Sequence, residues 1–140
     1  MRTSTDFERD RDLIVVVGTI IGPAGSVTYR MVLDTGSTIT IVTPKIAELA
    51  GYPRHDTSRR TTVGGPGGKT LGYSTRVERL DALGFSCQQA EVNVAEFEDP
   101  SQVVLDDLQV DGVLGLSFLD HFNYEIRSYE SRIVVERASD

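Results

Sequence analysis

Residues 32–42 read VLDTGSTITIV and place a single acidic residue, Asp34, inside an apolar run. An ionised carboxylate is costly in apolar surroundings unless it is paired or hydrogen-bonded. The three residues that follow, Thr35, Gly36 and Ser37, favour turns and offer two hydroxyl groups and an unhindered backbone N–H. The segment therefore predicts a strand that ends in a tight loop carrying a carboxylate, although by itself Asp-Thr-Gly-Ser is equally compatible with an ordinary turn.

The sequence on both sides of this loop predicts mostly strands. Residues 13–21, LIVVVGTII, form an apolar strand, residues 22–26 form a turn, and residues 27–33 alternate apolar side chains toward one face. These segments predict a hairpin that delivers Asp34 at its end, and residues 39–42, ITIV, predict a short strand after the loop. Residues 85–97 and 132–137 also have strand character, so the pattern favours an all-β fold.

Only two segments have helical character, and both are short. Residues 45–50, KIAELA, stand between Thr43-Pro44 and Gly51, an order typical of a helix that begins at Pro and ends at Gly. Residues 117–122, SFLDHF, predict one or two helical turns with Ser117 as the N-cap.

Length and composition indicate one domain. The chain has 140 residues, of which 39% are hydrophobic, enough for one core. We expect the domain to span residues 13–138. Residues 1–12 are polar and lack periodicity, so we expect a flexible N-terminal tail there.

Charge and cysteine content exclude several classes of function. The chain carries 14 Lys and Arg residues against 21 Asp and Glu, a net charge of -7, and shows no basic stripe, so nucleic acid is not an expected partner. No apolar run approaches the roughly 18 residues that suggest a membrane span. A lone cysteine, Cys87, forms no intrachain disulfide. We expect a cytoplasmic protein or a soluble domain of a larger or anchored one.

A glycine-rich tip separates two extended segments in the middle of the chain. It consists of Gly64, Gly65, Pro66, Gly67 and Gly68. The pattern predicts a hairpin with a bendable tip. A phosphate-binding loop is excluded, because that motif requires a glycine where Val63 stands.

No metal or organic cofactor is expected. A metal site needs three or four converging ligands, and the histidines and the cysteine are scattered along the chain. The acidic residues near Asp111 lack the spacing of a calcium loop.

Three segments in this order, VLDTGSTITIV, TVGGPGGKT and DGVLGLSFLDHF, resemble the retropepsin family of single-domain aspartic proteases, including its bacterial members. The resemblance covers most of residues 13–137. It implies a closed β-barrel acid-protease fold with one or two short helices, in which Val113-Leu114-Gly115 threads beside the catalytic loop. It also implies aspartic endopeptidase activity on an extended peptide or protein substrate.

The same resemblance assigns roles to individual residues. Asp34 would be catalytic, Thr35 would bond to its mate across a dimer axis, and Gly36 and Ser37 would hydrogen-bond the carboxylate. The glycine-rich tip would be a flap over the substrate, and apolar side chains would line the substrate pockets. The lining set is Ile39, Val63 and Val113.

Chemistry independently favours a homodimer. Peptide hydrolysis by carboxylates needs one group to accept a proton from water and another to protonate the carbonyl oxygen. The chain has one Asp-Thr-Gly, so the second carboxylate must come from another copy, and a twofold axis brings identical loops together.

Several residues depart from the retroviral pattern. Pro66 has no N–H to hold a water at the flap, and Thr38, Ile39 and Leu116 stand where an ion-pair network is usual. Two alternatives to a general endopeptidase remain open. One is a non-catalytic module for dimerisation or peptide binding, and the other is a domain that cleaves only its own parent chain.

Overall fold

The computed structural model describes residues 1–53, 60–65, 68–95 and 109–137, and for residues 60–65 and 68–71 it describes the backbone without the side chains. Strands dominate this part of the chain. The strands are β1 (Arg2–Asp6), β2 (Glu8–Asp10), β3 (Leu13–Gly22), β4 (Gly25–Leu33), β5 (Ile41–Val42), β6 (Arg60–Gly65), β7 (Gly68–Ala82), β8 (Phe85–Ala95), β9 (Gly112–Leu114), β10 (Asn123–Arg127) and β11 (Arg132–Glu136). The helices are α1 (Pro44–Leu49) and α2 (Leu116–Leu119), with one 3-10 turn at Ser128–Glu130.

Six of the strands close into a barrel. The larger sheet has the order β2-β3-β4-β9-β5-β8-β7-β6, and an additional pairing joins β3 to β7. This pairing runs from Gly18 opposite Ala82 to Ile21 opposite Arg79 and converts the central strands into a closed ring. The predicted all-β fold with a closed barrel and short helices is confirmed.

The predicted alternation on β4 holds in the structure. Tyr29, Met31 and Leu33 are buried on one face and join the main core, which Val27 also contacts. The opposite face is also buried near the end of the strand, where Val32 packs with Val15 and Val110. Because both faces of β4 are covered at this end, the loop that follows starts from a fixed point.

Strand β9 inserts between β4 and β5. Val113 lies opposite Val32 in a parallel pairing and opposite Ile41 in an antiparallel pairing. The space is narrow: a Cβ atom on Gly112 would lie 2.6 Å from the Ile41 carbonyl oxygen and 2.8 Å from the Tyr29 ring. Glycine is therefore required where β9 enters, and β9 in turn supports the end of β4.

The N-terminal residues differ from the predicted flexible tail. Strand β1 pairs along its whole length with β11, from Arg2 opposite Glu136 to Asp6 opposite Arg132, and β2 pairs with β3. Phe7, between them, is 7% exposed and belongs to the main core. The polar composition of residues 1–12 predicted a tail. A strand added at the edge of a sheet is held by backbone hydrogen bonds, so it can be polar when one apolar side chain anchors it. The result is a second, three-stranded sheet with the order β1-β11-β10.

The helices and the strand after the Asp34 loop need two corrections. Helix α1 lies where it was predicted, but α2 begins at Leu116 with Gly115 before it, so Ser117 lies inside the helix and is not its cap. The predicted strand ITIV is shortened to Ile41–Val42. In the described part of the chain, neither helix is long and apolar enough to cross a membrane.

Tyr52 closes the gap where the pairing of β3 and β7 ends. Its hydroxyl donates to the Ile21 carbonyl oxygen at 3.1 Å and accepts the Glu78 N–H at 2.8 Å. The ladder between β7 and β8 is interrupted at the same point, because Gln89 has a left-handed backbone with φ of 52°. The tyrosine hydroxyl thus takes the place of a backbone partner.

We expect Tyr52→Phe to lower the free energy of unfolding by about 1 kcal/mol, because the Glu78 N–H and the Ile21 carbonyl lose this partner. Urea denaturation followed by circular dichroism measures the change. Tyr129→Phe is the matched control, since Tyr129 is fully exposed in the single chain and the substitution keeps its ring, so it should change stability by less than about 0.5 kcal/mol. Equal effects of the two substitutions would contradict the bridging role.

A network of ion pairs between arginine and glutamate side chains spans the turn between β10 and β11. Arg127 donates to both carboxylate oxygens of Glu130, at 2.5 and 2.7 Å, and Arg132 donates to the same carboxylate at 2.8 Å. The two hydrogen bonds from Arg127, then the one from Arg132, lower the pKa of Glu130 to about 2. A second carboxylate, that of Glu125, accepts from Arg127 at 2.9 Å.

We expect the Glu130 carboxyl to titrate well below the ordinary glutamate range in a side-chain NMR titration, and Arg127→Gln to move its midpoint upward. Since folding lowers this pKa, the network contributes stability above pH 4.5, and the contribution is lost as the pH falls toward 2. Arg9→Gln, a substitution on β2, should leave the Glu130 midpoint unchanged. An ordinary Glu130 midpoint in the unmodified protein would refute the network.

Candidate active site

Asp34 follows the last residue of β4 and is tied to β9. Its backbone N–H donates to the Leu114 carbonyl oxygen at 3.0 Å, which extends the parallel pairing of the two strands by one residue. Its side chain is exposed. A buried, two-sided support thus ends in an exposed carboxylate, and the order of strand and loop is the one that the sequence predicted.

The residues after Asp34 form a tight turn around the carboxylate. The Gly36 N–H donates to Asp34 Oδ1 at 2.8 Å, and the Ser37 N–H donates to the Asp34 carbonyl oxygen at 3.2 Å. Thr35 is exposed at the tip of this turn. The backbone therefore orients one carboxylate oxygen and leaves the threonine side chain facing outward.

The Ser37 hydroxyl has a different partner from the expected one. It donates to the Ile39 carbonyl oxygen at 2.8 Å instead of contacting the carboxylate. Its backbone carbonyl accepts the Leu116 N–H at 2.8 Å. Within one chain, Ser37 holds the shape of the loop, and Gly36 provides the hydrogen bond to Asp34.

Gly115 lets the loop approach the start of α2 closely. A Cβ atom there would run into the Ile39 carbonyl oxygen and would lie 2.7 Å from the Ser37 carbonyl oxygen. The next residues of α2 donate to the loop, including the Ser117 N–H to the Thr38 carbonyl at 3.0 Å. The free N–H groups at the start of this helix are thereby used to fix the loop after Asp34.

Thr40 is a functional candidate that sequence reasoning missed. Its side chain is 1% exposed, and its Oγ1 accepts the Gly115 N–H at 3.2 Å and bonds the Ser117 hydroxyl at 2.9 Å. Its carbonyl oxygen accepts the Asn93 N–H at 2.8 Å. One residue thus joins the loop, β8 and α2. The only signal in the sequence was a hydroxyl group inside the apolar run ITIV.

Two of the residues assigned to substrate pockets lie together. Ile39 packs against a small cluster that contains Val113, Ile41 and Ala95. This cluster sits on strands β5, β8 and β9, next to the Asp34 loop. Val63 belongs to β6, and its side chain lies outside the described part of the structure.

The arms of the glycine-rich hairpin are present as strands. Strands β6 and β7 pair from Arg60 opposite Tyr73 to Gly65 opposite Gly68, with Gly64 opposite Lys69. The tip residues Pro66 and Gly67 lie outside the described residues. The paired arms agree with the hairpin that the sequence predicted.

A cavity of about 480 Å³ lies behind the loop, on the side of β7, β8 and α2. Ile39, Thr40 and Ser117 contribute to its wall, and Cys87 and His121 also line it. Asp34 does not. Across residues 1–53, 72–95 and 109–137, no three His, Cys, Asp or Glu side chains lie close enough together to hold a metal ion.

One chain therefore presents one oriented carboxylate, that of Asp34, on this loop. A carboxylate can act as a general base when it is ionised and as a general acid when it is protonated. The exposed position of Asp34 allows a second group to approach it.

Known proteins resemble this chain in sequence and in fold. A family model described as aspartyl protease matches residues 16–118. A retropepsin-like aspartic protease from Rickettsia conorii is similar in structure, with a TM-score of 0.65 at 14% identity, over 100% of this chain and 95% of that chain. EIAV protease complexed with the inhibitor HBY-793 aligns with a TM-score of 0.49 at 19% identity, over 86% of each chain. No curated protein sequence matches significantly. The fold is retropepsin-like.

We expect Thr40→Val to lower the free energy of unfolding by about 1 to 3 kcal/mol, because the buried Gly115 N–H loses its acceptor. Amide hydrogen exchange at Gly115 should become faster. A general loss of packing elsewhere would not accelerate exchange at this one amide selectively. Thr40→Ser keeps the hydroxyl and should preserve slow exchange.

Thr38→Val provides the matched control, because Thr38 is exposed and two residues away. It should change stability by less than about 0.5 kcal/mol. Unchanged Gly115 exchange in Thr40→Val would show that Thr40 does not hold the loop.

Proposed function

Because the chain belongs to the aspartyl protease family, we propose that it is an aspartic endopeptidase that acts as a homodimer, with one Asp34 from each copy. The observation that carries this proposal is the exposed Asp34 carboxylate, oriented by the Gly36 N–H at 2.8 Å on a loop anchored to β9. Retropepsin-like architecture supports it.

The two carboxylates would share one proton. Carboxyl groups about 3 Å apart cannot both ionise, so one is protonated and the other is charged. The charged Asp34 accepts a proton from water as the water oxygen attacks the peptide carbonyl carbon. The protonated Asp34 donates its proton to the carbonyl oxygen, which gives a neutral tetrahedral diol.

Collapse of the diol completes the reaction. The ionised Asp34 accepts a proton from one hydroxyl of the diol as the carbonyl re-forms. The protonated Asp34 gives its proton to the amide nitrogen, and the C–N bond breaks. The products are a carboxylic acid and an amine, and the pair again holds one proton. No metal or cofactor takes part in these steps.

Substrate would bind as an extended strand across the twofold axis. The hairpin of β6 and β7 serves as the flap, with Gly64, Gly65, Pro66, Gly67 and Gly68 at its tip. Its extended arms offer backbone hydrogen bonds of the kind used in strand addition. Ile39, Val63 and Val113 form apolar walls for alternate substrate side chains, and Thr35 bonds to its mate across the axis.

We expect Asp34→Asn to reduce peptide cleavage by at least about a thousandfold, since the amide can neither accept the proton from water nor replace the acid. Cleavage of a mixed peptide library, read by mass spectrometry, measures the activity without knowledge of the natural substrate. Asp120→Asn is the control, because Asp120 is exposed at the end of α2 and should retain full activity.

The same assay separates the alternatives. Undiminished cleavage by folded Asp34→Asn protein would refute the mechanism. Binding of extended peptides without turnover in the unmodified protein would favour a non-catalytic module, and cleavage confined to the parent chain would favour self-processing.

A further inference from the structure

We propose that the two copies pair along β10, whose outer edges join in antiparallel register about Ile126 to form a six-stranded sheet. This inference rests on the homodimer of the proposed function and names the surface that builds it. Two-fold symmetry permits only antiparallel pairing of a strand with its own copy, so the register is defined by the residue on the axis.

β10 presents an open edge and carries apolar side chains up to it. Within the described ranges β10 pairs only with β11, so about half of its backbone N–H and C=O groups have no ladder partner. Its inward residues Tyr124 and Ile126 are half-buried and pack against the main core. A second copy of β10 would continue both the ladder and the core.

Charges select the register. With Ile126 on the axis, Glu125 of each copy lies opposite Arg127 of the other, and the two Ile126 side chains meet on the inward face. With Glu125 on the axis, two like charges would lie directly opposite each other, which destabilises a pair of strands. With Tyr124 on the axis, Glu125 would lie opposite Asn123, so this register would not pair Glu125 with an opposite charge.

Tyr129 supports the same edge. It follows β10 in the 3-10 turn and is fully exposed, the most exposed large hydrophobic side chain in the described structure. A large aromatic ring gains most from a partner surface. In the register about Ile126, the turn that carries Tyr129 lies beside the start of β10 of the second copy.

The chain path places β10 near the catalytic loop. Helix α2 donates two backbone hydrogen bonds to residues 37–38, and β10 begins a few residues after that helix ends. The proposal therefore places the twofold axis between the Asp34 loops beside β10, the first strand after this helix. β1 lies farther away, because β11 separates it from β10.

The opposite edge of the sheet is the competing surface. β1 could pair with its own copy about Ser4, which would place Arg2 opposite Asp6. Its inward residues, however, are Thr3 and Thr5, so this pairing would bury little apolar area. The apolar content of the edge and its position along the chain, directly after α2, favour β10.

Charge reversal tests the register. Glu125→Arg and Arg127→Glu each place like charges opposite one another in their own homodimers, so we expect each to weaken the dimer by about tenfold or more in analytical ultracentrifugation. In a 1:1 mixture, the two variants pair opposite charges at both positions, and we expect dimerisation to return to within about threefold of the unmodified protein. Peptide cleavage should follow the dimer, since both variants keep Asp34.

Recovery on mixing separates the interface from folding, because a misfolded chain is not repaired by another one. Arg2→Asp with Asp6→Arg, tested in the same way, serves as the matched pair on β1. Recovery by the β1 pair and not by the β10 pair would overturn the proposal, and so would dimerisation that none of these variants changes.

A cross-link gives a second, independent readout. With Cys87→Ser as background, Ile126→Cys should form a covalent dimer on mild oxidation, since residues on the axis of an antiparallel pair lie within disulfide range. Ser4→Cys in the same background should remain uncrosslinked. A covalent dimer formed by Ser4→Cys alone would assign the interface to β1.

Failure of this proposal and failure of the proposed function give different results. A protein that cleaves peptides and whose dimerisation is unchanged by the β10 substitutions would refute the proposed interface and leave the endopeptidase proposal standing. A protein whose dimerisation responds to the β10 substitutions as expected, but which cleaves no peptide, would support the interface and contradict the endopeptidase proposal.

Discussion

The insertion of β9 between β4 and β5 is the constraint on which the rest of the structure depends. It gives β4 a hydrogen-bonded neighbour up to its last residue, and the Leu114 carbonyl then accepts the Asp34 N–H. Gly112 at one end of β9 and Gly115 at the other leave room for this close approach. A carboxylate placed on a short loop between such supports keeps its position without being buried, which is what a reactive acid requires.

Residues in regular patterns were predictable, whereas residues that act through distant partners were not. Alternation on β4 and the turn residues around Asp34 are local signals, so the hairpin and the loop that carries the carboxylate were predictable from them. Ser117 was interpreted as a helix cap because serine favours that position, but its hydroxyl bonds Thr40, 77 positions away. No local pattern reports such a contact, and the same holds for Thr40 itself.

In the proposed mechanism, the retropepsin-like fold of one copy supplies one Asp-Thr-Gly loop, and a second copy supplies the other. The fold supplies the supports of the loop, and the hydroxyl of Thr40 and the glycine at position 115 supply its precision. Fold alone does not confer activity. In the proposed dimer, activity depends on the Asp34 carboxylate and on the surface that brings a second one to it.

The polar composition of β1 has a consequence for solubility. Its neighbour β11 contains the run Ile133-Val134-Val135, β-branched residues of the kind that promote aggregation when a strand edge is open. β1 covers that edge with threonine and serine, and it carries a charge at each end, Arg2 and Asp6. Charged, polar edge strands discourage unwanted strand addition. A chain shortened before Phe7 would thus expose the β11 edge and tend to associate through it.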